Sequence, residues 1–282
     1  MEVVRTRDAL LDARLQHGER EVAAVLTMGA LHEGHLALVE AARSRVGDDG
    51  RVVATIFVNP LQFGAGEDLE RYPRDLDADL RAADEAGVDL LFAPGVDEVY
   101  PDGEPTVTVD PGPLGQVWEG AARPGHFRGV LTVVAKLLNL VVPAVTMFGE
   151  KDYQQLVLVR RMCAELEMGV EVVGVPTVRD ADGLARSSRN AYLTAAQRGS
   201  ALALSAALRA GREAAPGGAQ AVLDAATEVL RGESGLDLDY LALTDPHLGP
   251  TPERGLGRLL VAGHVGSTRL LDNAPVAIGS GG

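Results

Sequence analysis

The sequence predicts an α/β fold in which a parallel sheet is followed by a smaller α+β region. Two observations predict it: short β-rich runs alternate with helical stretches up to about residue 175, and the composition changes after Pro176. Strands separated by helices of roughly 10–15 residues form βαβ units and therefore a parallel sheet. Such a sheet binds its ligands at the carboxyl ends of its strands, so polar residues that follow a strand are candidates for a site.

Short apolar runs predict the strands of this sheet, and longer stretches with helical spacing between them predict its helices. The predicted strands are Val22–Thr27, Val52–Val58, Val88–Phe92, Ala144–Phe148 and Val170–Val175. The predicted helices are Gly34–Val46, Leu69–Ala86, Phe127–Val142 and Tyr153–Leu166.

The chain after Pro176 predicts a second domain, so we divide it into residues 1–176 and 177–282. A loop rich in Asp, Gly, Ser and Arg, Thr177–Asn190, leads to two Ala-rich helices that Pro216-Gly217-Gly218 separates, and this tripeptide is a strong turn signal. The predicted elements of this domain are the helices Thr194–Ala214 and Ala219–Arg231 and the weaker strands Asp239–Leu243, Arg258–Val261 and Thr268–Asp272.

The composition excludes several classes of partner. The 282 residues include 26 Lys and Arg and 40 Asp and Glu, a net charge of −14, so we expect neither nucleic-acid nor membrane binding through a basic surface. The most apolar run, Val130–Phe148, contains Lys136 and Pro143, so it predicts a buried helix and a strand rather than a membrane span. Residues 1–15 contain no apolar leader segment and Cys163 is the single cysteine, so we expect a cytoplasmic protein.

The charge is unevenly distributed along the chain. Residues 67–104 alone carry a net charge of −10, and we interpret them as a solvated face. The remaining residues are nearly balanced, so the total does not argue against an anionic ligand. Lys136 and Lys151 are the only lysines, and a compact ammonium in an arginine-rich chain is a candidate for a specific role.

The first candidate site motif is Thr27–His35, which leaves the first predicted strand and enters a helix. Glycines at such a turn allow close approach of a ligand, and a helix N-terminus favours an anion. The spacing of Gly29 and Gly34 is that of a P-loop, but His35 stands where lysine is required, and the two histidines are too close for a zinc-protease motif. We predict a nucleotide phosphate site in which imidazoles donate to developing charge; the alternative is an ordinary helix start.

Two further motifs also follow predicted strands. Asn59 and Gln62 come after the second strand, and their amides suit the hydroxyls or carboxylate of a small substrate, although a capped turn is the alternative. Lys151 and Asp152 follow the fourth strand, where the ammonium could neutralise phosphate and the carboxylate could accept from ribose hydroxyls. Gln155 would reach the same pocket one turn further on; the alternative is a solvated helix start.

The fourth motif, Arg186-Ser187-Ser188-Arg189-Asn190, lies in the loop after the domain boundary. Two hydroxyls flanked by guanidinium groups could clamp a phosphate, and a loop at such a place could close as a lid. The alternative is a plain turn. Together these motifs could supply the local positive charge that ATP requires, with Arg123 and Arg128 as further contributors.

Taken together, these stretches resemble the pantothenate synthetase (pantoate–β-alanine ligase) family, through most of residues 20–200 and in order. The combination is specific, whereas the His-x-Gly-His turn alone is shared with other nucleotidyl-transfer enzymes. The matching stretches are TMGALHEGH (27–35), FVNPLQF (57–63), RYPRDLDAD (71–79), RPGHFRGVLTVVAKLLN (123–139), FGEKDYQQL (148–156), VVGVPTVRDADGLA (172–185) and SSRNAYL (187–193).

The resemblance implies a Rossmann-like N-terminal domain that binds ATP and pantoate, a smaller C-terminal lid domain with the Ser-Ser-Arg-Asn loop, and usually a homodimer. It also implies two half-reactions in the cytoplasm. Pantoate carboxylate attacks the α-phosphate of Mg·ATP to give pantoyl adenylate and pyrophosphate, and the amine of β-alanine then displaces AMP to give pantothenate. No residue is assigned as a metal ligand.

The resemblance also implies residue roles. The resemblance assigns His35 as a catalytic residue. It also implies that His32, Lys151 and Arg189 act beside His35 and contact the phosphates. Gln62, Gln155 and Met28 would bind pantoate, Gln62 would border the β-alanine site, and Asn59 is a further possible ligand. The implied ATP contacts are Met28, Gly29, Ala30, Leu31, His32, Glu33, Gly34, His35, Gly149, Glu150, Lys151, Asp152, Val178, Arg186, Ser187, Ser188 and Arg189.

Two positions depart from the family pattern, and other functions stay open. Leu26 stands where the family usually has proline, and Arg186 where it usually has methionine; we hypothesise that Arg186 points to solvent or phosphate. The alternatives are a nucleotidyltransferase that stops at nucleotide transfer, a paralogous ligase with another acid or amine, and a non-catalytic nucleotide-binding regulator. The first does not explain the amides of Gln62 and Gln155.

Overall fold

A computed structural model describes residues 1–18, 20–64 and 66–279 of the chain. The chain forms two compact units, one of residues 1–149 and 158–176, the other of residues 150–157 and 177–282, of which 280–282 lie outside the described residues. Residues 150–157 therefore group with the second unit, in contrast to the predicted division of 1–176 and 177–282.

The first unit contains a six-stranded parallel sheet with the strand order β1-β4-β3-β2-β5-β6. Its central strands are continuous apolar runs because both faces are buried, as parallel sheets require. This confirms the predicted α/β class. The strands are β1 (Glu2–Val4), β2 (Val22–Thr27), β3 (Arg51–Ile56), β4 (Leu90–Phe92), β5 (Val145–Gly149) and β6 (Glu171–Val175).

Helices follow the strands as the alternation predicted. The helices of this part of the chain are α1 (Arg7–His17), α2 (Glu33–Val46), α3 (Leu76–Glu85), α4 (Val96–Val99), α5 (Glu119–Ala122), α6 (His126–Val141) and α7 (Tyr153–Glu165). One boundary was predicted wrongly, since α3 begins at Leu76 and not at Leu69. Pro73 disfavours a helix before it, and the Asp75 side chain accepts a hydrogen bond from Ala78 N at 3.0 Å, which caps the helix start.

The second unit packs two helices, α8 (Ala195–Glu213) and α9 (Ala219–Arg231), with an antiparallel sheet. Its strands are β7 (Asp237–Thr244), β8 (Gly255–Val265) and β9 (Thr268–Ile278), and Leu204, Val222 and Leu259 are fully buried between the helices and the sheet. The predicted strands were too short, because Gly257, Asn273 and Pro275 interrupt the β-rich pattern while the backbone continues in the ladder.

The predicted solvated face at residues 67–104 is wrong for several of its carboxylates. Asp79 is buried, Asp89 pairs with Arg43 at 2.5 Å, and Glu67 pairs with Arg123 at 2.6 Å. Part of the acidity therefore serves internal contacts. In the described ranges, no helix is both long and apolar enough to cross a membrane.

Candidate active site

The carboxyl ends of β3, β2 and β5 bring two of the predicted motifs, and Gly149 of a third, to one edge of the sheet. These strands are neighbours, and their register pairs Thr27 with Ile56 and Val25 with Met147, two residues before Gly149. The turn after β2, the turn after β3 and Gly149 therefore lie side by side, as expected for a ligand site of a parallel sheet.

The turn after β2 is held by a buried carboxylate on α3. Asp79, 4% exposed, accepts from Ala30 N at 2.9 Å and from Leu31 N at 2.7 Å. Gly29 and Ala30 both have left-handed backbones, with φ of 84° and 51°, and a Cβ at Gly29 would lie 2.8 Å from the Asp79 carboxylate. The turn therefore needs glycine at position 29. Its backbone amides bind the Asp79 carboxylate of the same chain, whereas the amides of a P-loop bind a phosphate of the ligand.

We expect Asp79→Asn to destabilise this turn, because an amide oxygen can replace only one of the two carboxylate acceptors. The free energy of unfolding should fall by about 1.5–3 kcal/mol, the range for hydrogen bonds to charged groups, and kcat should fall with it. Urea unfolding checks this, with Asp84→Asn as the matched control, since Asp84 is 62% exposed on the same helix. Equal effects of the two variants would contradict the assignment.

His32 and His35 stack at the start of α2, with ring centroids 4.1 Å apart. Nδ1 of His32 accepts from Gly34 N at 3.1 Å, and Nδ1 of His35 accepts from His32 N at 3.2 Å. Since the backbone donors occupy both Nδ1 atoms as acceptors, the proton of each neutral ring lies on Nε2. The capping arrangement therefore turns both histidines into Nε2–H donors.

Gln62 lies in the turn Pro60–Gln62 after β3 and is 9% exposed. Its Nε2 lies 2.8 Å from Met28 Sδ, and its Oε1 accepts from Asn59 Nδ2 at 3.2 Å. A thioether is a weak acceptor, so the Gln62 amide can readily exchange it for a carboxylate or hydroxyl oxygen of a ligand. The structure thus places Gln62 and Met28 together, as the predicted pantoate contacts require.

Asn59 does not present its amide to a substrate, in contrast to the predicted role as a possible ligand. It is 1% exposed, and its Nδ2 donates to Gln62 and to Gly129 O at 3.1 Å. Its Oδ1 accepts from Leu61 N at 3.3 Å and from the Tyr100 hydroxyl at 2.9 Å. Because these contacts saturate the amide, Asn59 orients Gln62 and has no group left for a ligand.

The backbone of Gln62 is held by His126, which the sequence analysis did not assign, and by Arg123, which it predicted as a contributor of positive charge for ATP. Gln62 O accepts from His126 Nδ1 at 2.8 Å and from Arg123 at 3.2 Å. Arg123 also forms a two-point pair with Glu67, at 2.9 and 2.6 Å, so its charge is neutralised within the protein, in contrast to the predicted contribution to an ATP site. Burial alone would raise the pKa of Glu67, but the hydrogen bonds and charge of Arg123 outweigh burial and hold it below its usual value.

The stability of the protein should depend on pH through His126. Burial, reinforced by the charge of Arg123, lowers the pKa of His126 from 6.5 to about 4. Between those values the unfolded chain binds a proton that the folded chain excludes, so the free energy of unfolding falls as the pH falls, by up to ~1.4 kcal/mol per pH unit. His126→Asn, whose amide can still donate to Gln62 O, should lose this share of the dependence. Urea unfolding of the wild type and of His126→Asn at pH 4.5 and 7 tests this prediction. An identical pH dependence of the unfolding free energy in the two proteins would contradict it.

In the second unit, the turn Glu150–Asp152 carries the predicted lysine. Lys151 Nζ lies 3.3 Å from Asp152 Oδ2, and the Lys151 side chain is 21% exposed. The carbonyls of Glu150 and Lys151 both accept from Asn273 of β9. Gln155 is half-buried in the first turn of α7.

The remaining predicted residues lie on a hairpin of the second unit. Arg186 N donates to Val178 O at 2.9 Å, which closes the hairpin, and Ser187 Oγ accepts from Arg189 N at 3.3 Å, which caps the turn Ser188–Tyr192. The Arg186 guanidinium forms an ion pair with Asp180. The Arg186 side chain is still 37% exposed, so the hypothesis that it points to solvent or phosphate stays a prediction.

Sequence reasoning missed the residues that support the site. Asp79 and His126 lie inside stretches that carry the resemblance, so a search for buried polar partners there could have found them. Asn273 and Arg258 lie beyond those stretches, and no local pattern connects them with residues more than 100 positions earlier.

Comparison with known proteins gives a consistent picture. The family model for pantoate-beta-alanine ligase matches residues 2–275. The pantothenate synthetase of Nocardioides sp. is 59% identical over 280 residues, with 97% of this chain and 84% of the relative covered, and that of Nocardia farcinica is 58% identical over 261 residues, with 93% and 81% covered.

Solved structures agree with these relatives. The pantothenate synthetase of Thermus thermophilus superposes with a TM-score of 0.91 at 53% identity, covering 97% of this chain and 99% of the other. The pantoate-beta-alanine ligase of Francisella tularensis, solved with beta-gamma ATP and beta-alanine, has a TM-score of 0.81 at 30% identity and covers 100% and 99%.

Proposed function

The chain belongs to the pantoate–β-alanine ligase family, and we propose that the residues described above carry out the reaction of that family in two steps. It condenses pantoate with β-alanine to give pantothenate, and ATP is converted to AMP and pyrophosphate. The observation that carries the residue assignment is that His32 and His35 both accept backbone hydrogen bonds through Nδ1, at the same sheet edge as the Gln62 amide.

In the first step a carboxylate oxygen of pantoate attacks the α-phosphorus of ATP, and the bond from that phosphorus to the pyrophosphate oxygen breaks. We propose that Gln62, Gln155 and Met28 bind pantoate. Negative charge grows on the phosphate oxygens in the transition state, where the Nε2–H groups of His32 and His35 would donate to it. Because each neutral ring already holds its proton on Nε2, neither histidine has to change tautomer as the charge develops.

In the second step the β-alanine amine attacks the acyl carbon of pantoyl adenylate, and AMP leaves with the bridging oxygen. A free carboxylate does not form an amide at neutral pH, whereas the mixed anhydride has AMP as a stable leaving group. We propose that Gln62 also borders the amine site. The Francisella relative was solved with β-alanine, which supports binding of the same amine here.

The second unit supplies the other proposed nucleotide contacts. Lys151 would neutralise phosphate oxygens, and Asp152 would accept from ribose hydroxyls. Phosphate oxygens would also accept hydrogen bonds from the hairpin residues Ser187, Ser188 and Arg189. Val178, on the same hairpin, would contact adenine. The guanidinium of Arg186 pairs with Asp180, and we propose that Arg186 borders the nucleotide through its backbone.

Three finer points also belong to the proposal. Mg²⁺ would arrive with ATP, because this ion is usually bound through substrate phosphates. The family resemblance supports a homodimer, which light scattering of the purified chain tests. The cytoplasm is the proposed compartment, where the buried thiol of Cys163 would stay reduced.

A coupled assay of pyrophosphate and AMP tests the function. We expect pyrophosphate release to require pantoate and AMP release to require β-alanine as well. A nucleotidyltransferase would release pyrophosphate without forming an amide, and a paralogous ligase would prefer another acid or amine. A panel of small hydroxy acids and amines therefore separates the three functions.

A further inference from the structure

The turn that carries Lys151 is anchored by a strand at the far end of the sequence. Asn273, in the middle of β9, is 3% exposed, and its Nδ2 donates to Glu150 O at 2.9 Å and to Lys151 O at 2.7 Å. Two consecutive carbonyls are thus fixed by one amide group. Because the backbone direction at Lys151 determines where its ammonium can reach, Asn273 sets the position of that charge.

The orientation of the Asn273 amide is itself determined. Arg258, 6% exposed on β8, donates from Nε to Asn273 Oδ1 at 2.6 Å, so the amide nitrogen must face the two carbonyls. The same guanidinium donates to Glu150 Oε2 at 2.9 Å and lies 3.8 Å from the centroid of the Tyr153 ring. The Arg258 guanidinium therefore contacts Asn273, Glu150 at the start of the turn, and Tyr153, the first residue of α7.

The backbone of Asn273 is fixed as well. Asn273 N donates to Asp272 Oδ1 at 2.7 Å, and the buried Asp272 carboxylate forms a two-point pair with Arg179 at 2.6 and 2.9 Å. Arg179 belongs to the hairpin that includes Val178 and Arg186. Two neighbouring residues of β9 thus fix two segments that carry proposed nucleotide contacts.

We propose that Asn273, oriented by Arg258, is a positioning residue for the ATP-dependent step, because it holds the backbone from which Lys151 reaches the phosphates. Such a full set of buried hydrogen bonds is more than a solvated helix start requires, since exposed carbonyls can bond to water. The inference rests on the proposed role of Lys151 and names a group that does not itself touch the substrates.

The test is Asn273→Asp, which keeps an acceptor for Arg258 but replaces both N–H donors with a carboxylate oxygen facing two carbonyls. We expect pyrophosphate release with pantoate to slow by ~10–100-fold, the scale of a misplaced catalytic group, while aminolysis of supplied pantoyl adenylate stays within about two-fold of wild type. Asp239→Asn is the matched control: it removes the Asp239–Arg269 pair from the same sheet and should leave both steps unchanged.

A double-mutant cycle distinguishes positioning from general damage. When Lys151 is already alanine, Asn273→Asp should add less than about three-fold to the loss, since both act through one group. The proposal would be overturned if the two losses were fully additive in activation free energy. It would also be overturned if Asn273→Asp slowed both steps equally or had wild-type rates. If Asn273→Asp does not fold, Arg258→Lys, which loses the planar fork but keeps the charge near Glu150, should show the same step-selective loss, and an equal loss in both steps would overturn it.

The failure of the proposed function looks different. In that case the wild-type protein itself would release no pyrophosphate in the presence of pantoate. A wild type that releases pyrophosphate together with an Asn273→Asp variant that matches it would leave the function standing and remove only this inference.

Discussion

Replacing His35 with alanine should lower kcat by at least ~10²-fold, the scale of losing one donor to developing transition-state charge. The physical reason is its tautomer: Nδ1 accepts from His32 N, so the neutral ring holds its proton on Nε2, from which it would donate to a phosphate oxygen. Single-turnover pyrophosphate release measures the effect directly, because the loss should appear in the adenylate-forming step.

His35→Asn separates this chemistry from the capping of α2. Its Oδ1 can still accept from His32 N, so the melting temperature should stay close to that of the wild type, whereas alanine should cost about 0.5–2 kcal/mol of stability as the loss of a cap does. Both variants should be equally slow. A fast asparagine variant would mean that His35 serves only as a cap.

Replacing Lys151 with alanine should also lower kcat by at least ~10²-fold, because the ammonium would no longer neutralise phosphate charge in the transition state. Lys151 lies on an ordered turn, and its partner Asp152 is on the same turn, so its loss removes a charge without opening the core. The loss of stability should therefore stay at the low end of the range for single substitutions, ~0.5–1 kcal/mol, because the side chain is partly exposed, at 21%.

Lys151→Arg provides the comparison for this variant. A guanidinium keeps the positive charge but presents a flat, longer group in place of a compact ammonium, so activity should fall between those of the wild type and the alanine variant. Near-wild-type rates in Lys151→Ala would contradict the assignment, whatever the arginine variant shows.

The sequence predicted most of the architecture that places these residues. Continuous apolar runs such as Val22–Thr27 identified the central strands, because a strand buried on both faces has no polar alternation. β1 was missed, since Glu2–Val4 is a three-residue edge strand without an apolar run. The start of α3 was misplaced because the charged residues before Pro73 also suit a helix.

The candidate site was predictable only for residues next to strand ends. His32, His35 and Gln62 follow strands directly, whereas Asp79 belongs to an acidic segment that composition alone assigns to solvent. Its burial depends on the amides of Ala30 and Leu31, which come 48 or more positions earlier and become partners only in the folded chain. Asn273 is the extreme case, since its amide bonds carbonyls that come 122 and 123 positions earlier.

One isotope experiment tests the central claim, that pantoate is activated as an acyl adenylate. Pantoate labelled with ¹⁸O in both carboxylate oxygens would be turned over with ATP and β-alanine, and the products would be weighed by mass spectrometry. Attack of the carboxylate on the α-phosphorus, followed by cleavage of the acyl carbon–oxygen bond, predicts one ¹⁸O in AMP and one in the amide carbonyl of pantothenate. AMP without the label, or a labelled inorganic phosphate formed together with ADP, would contradict it.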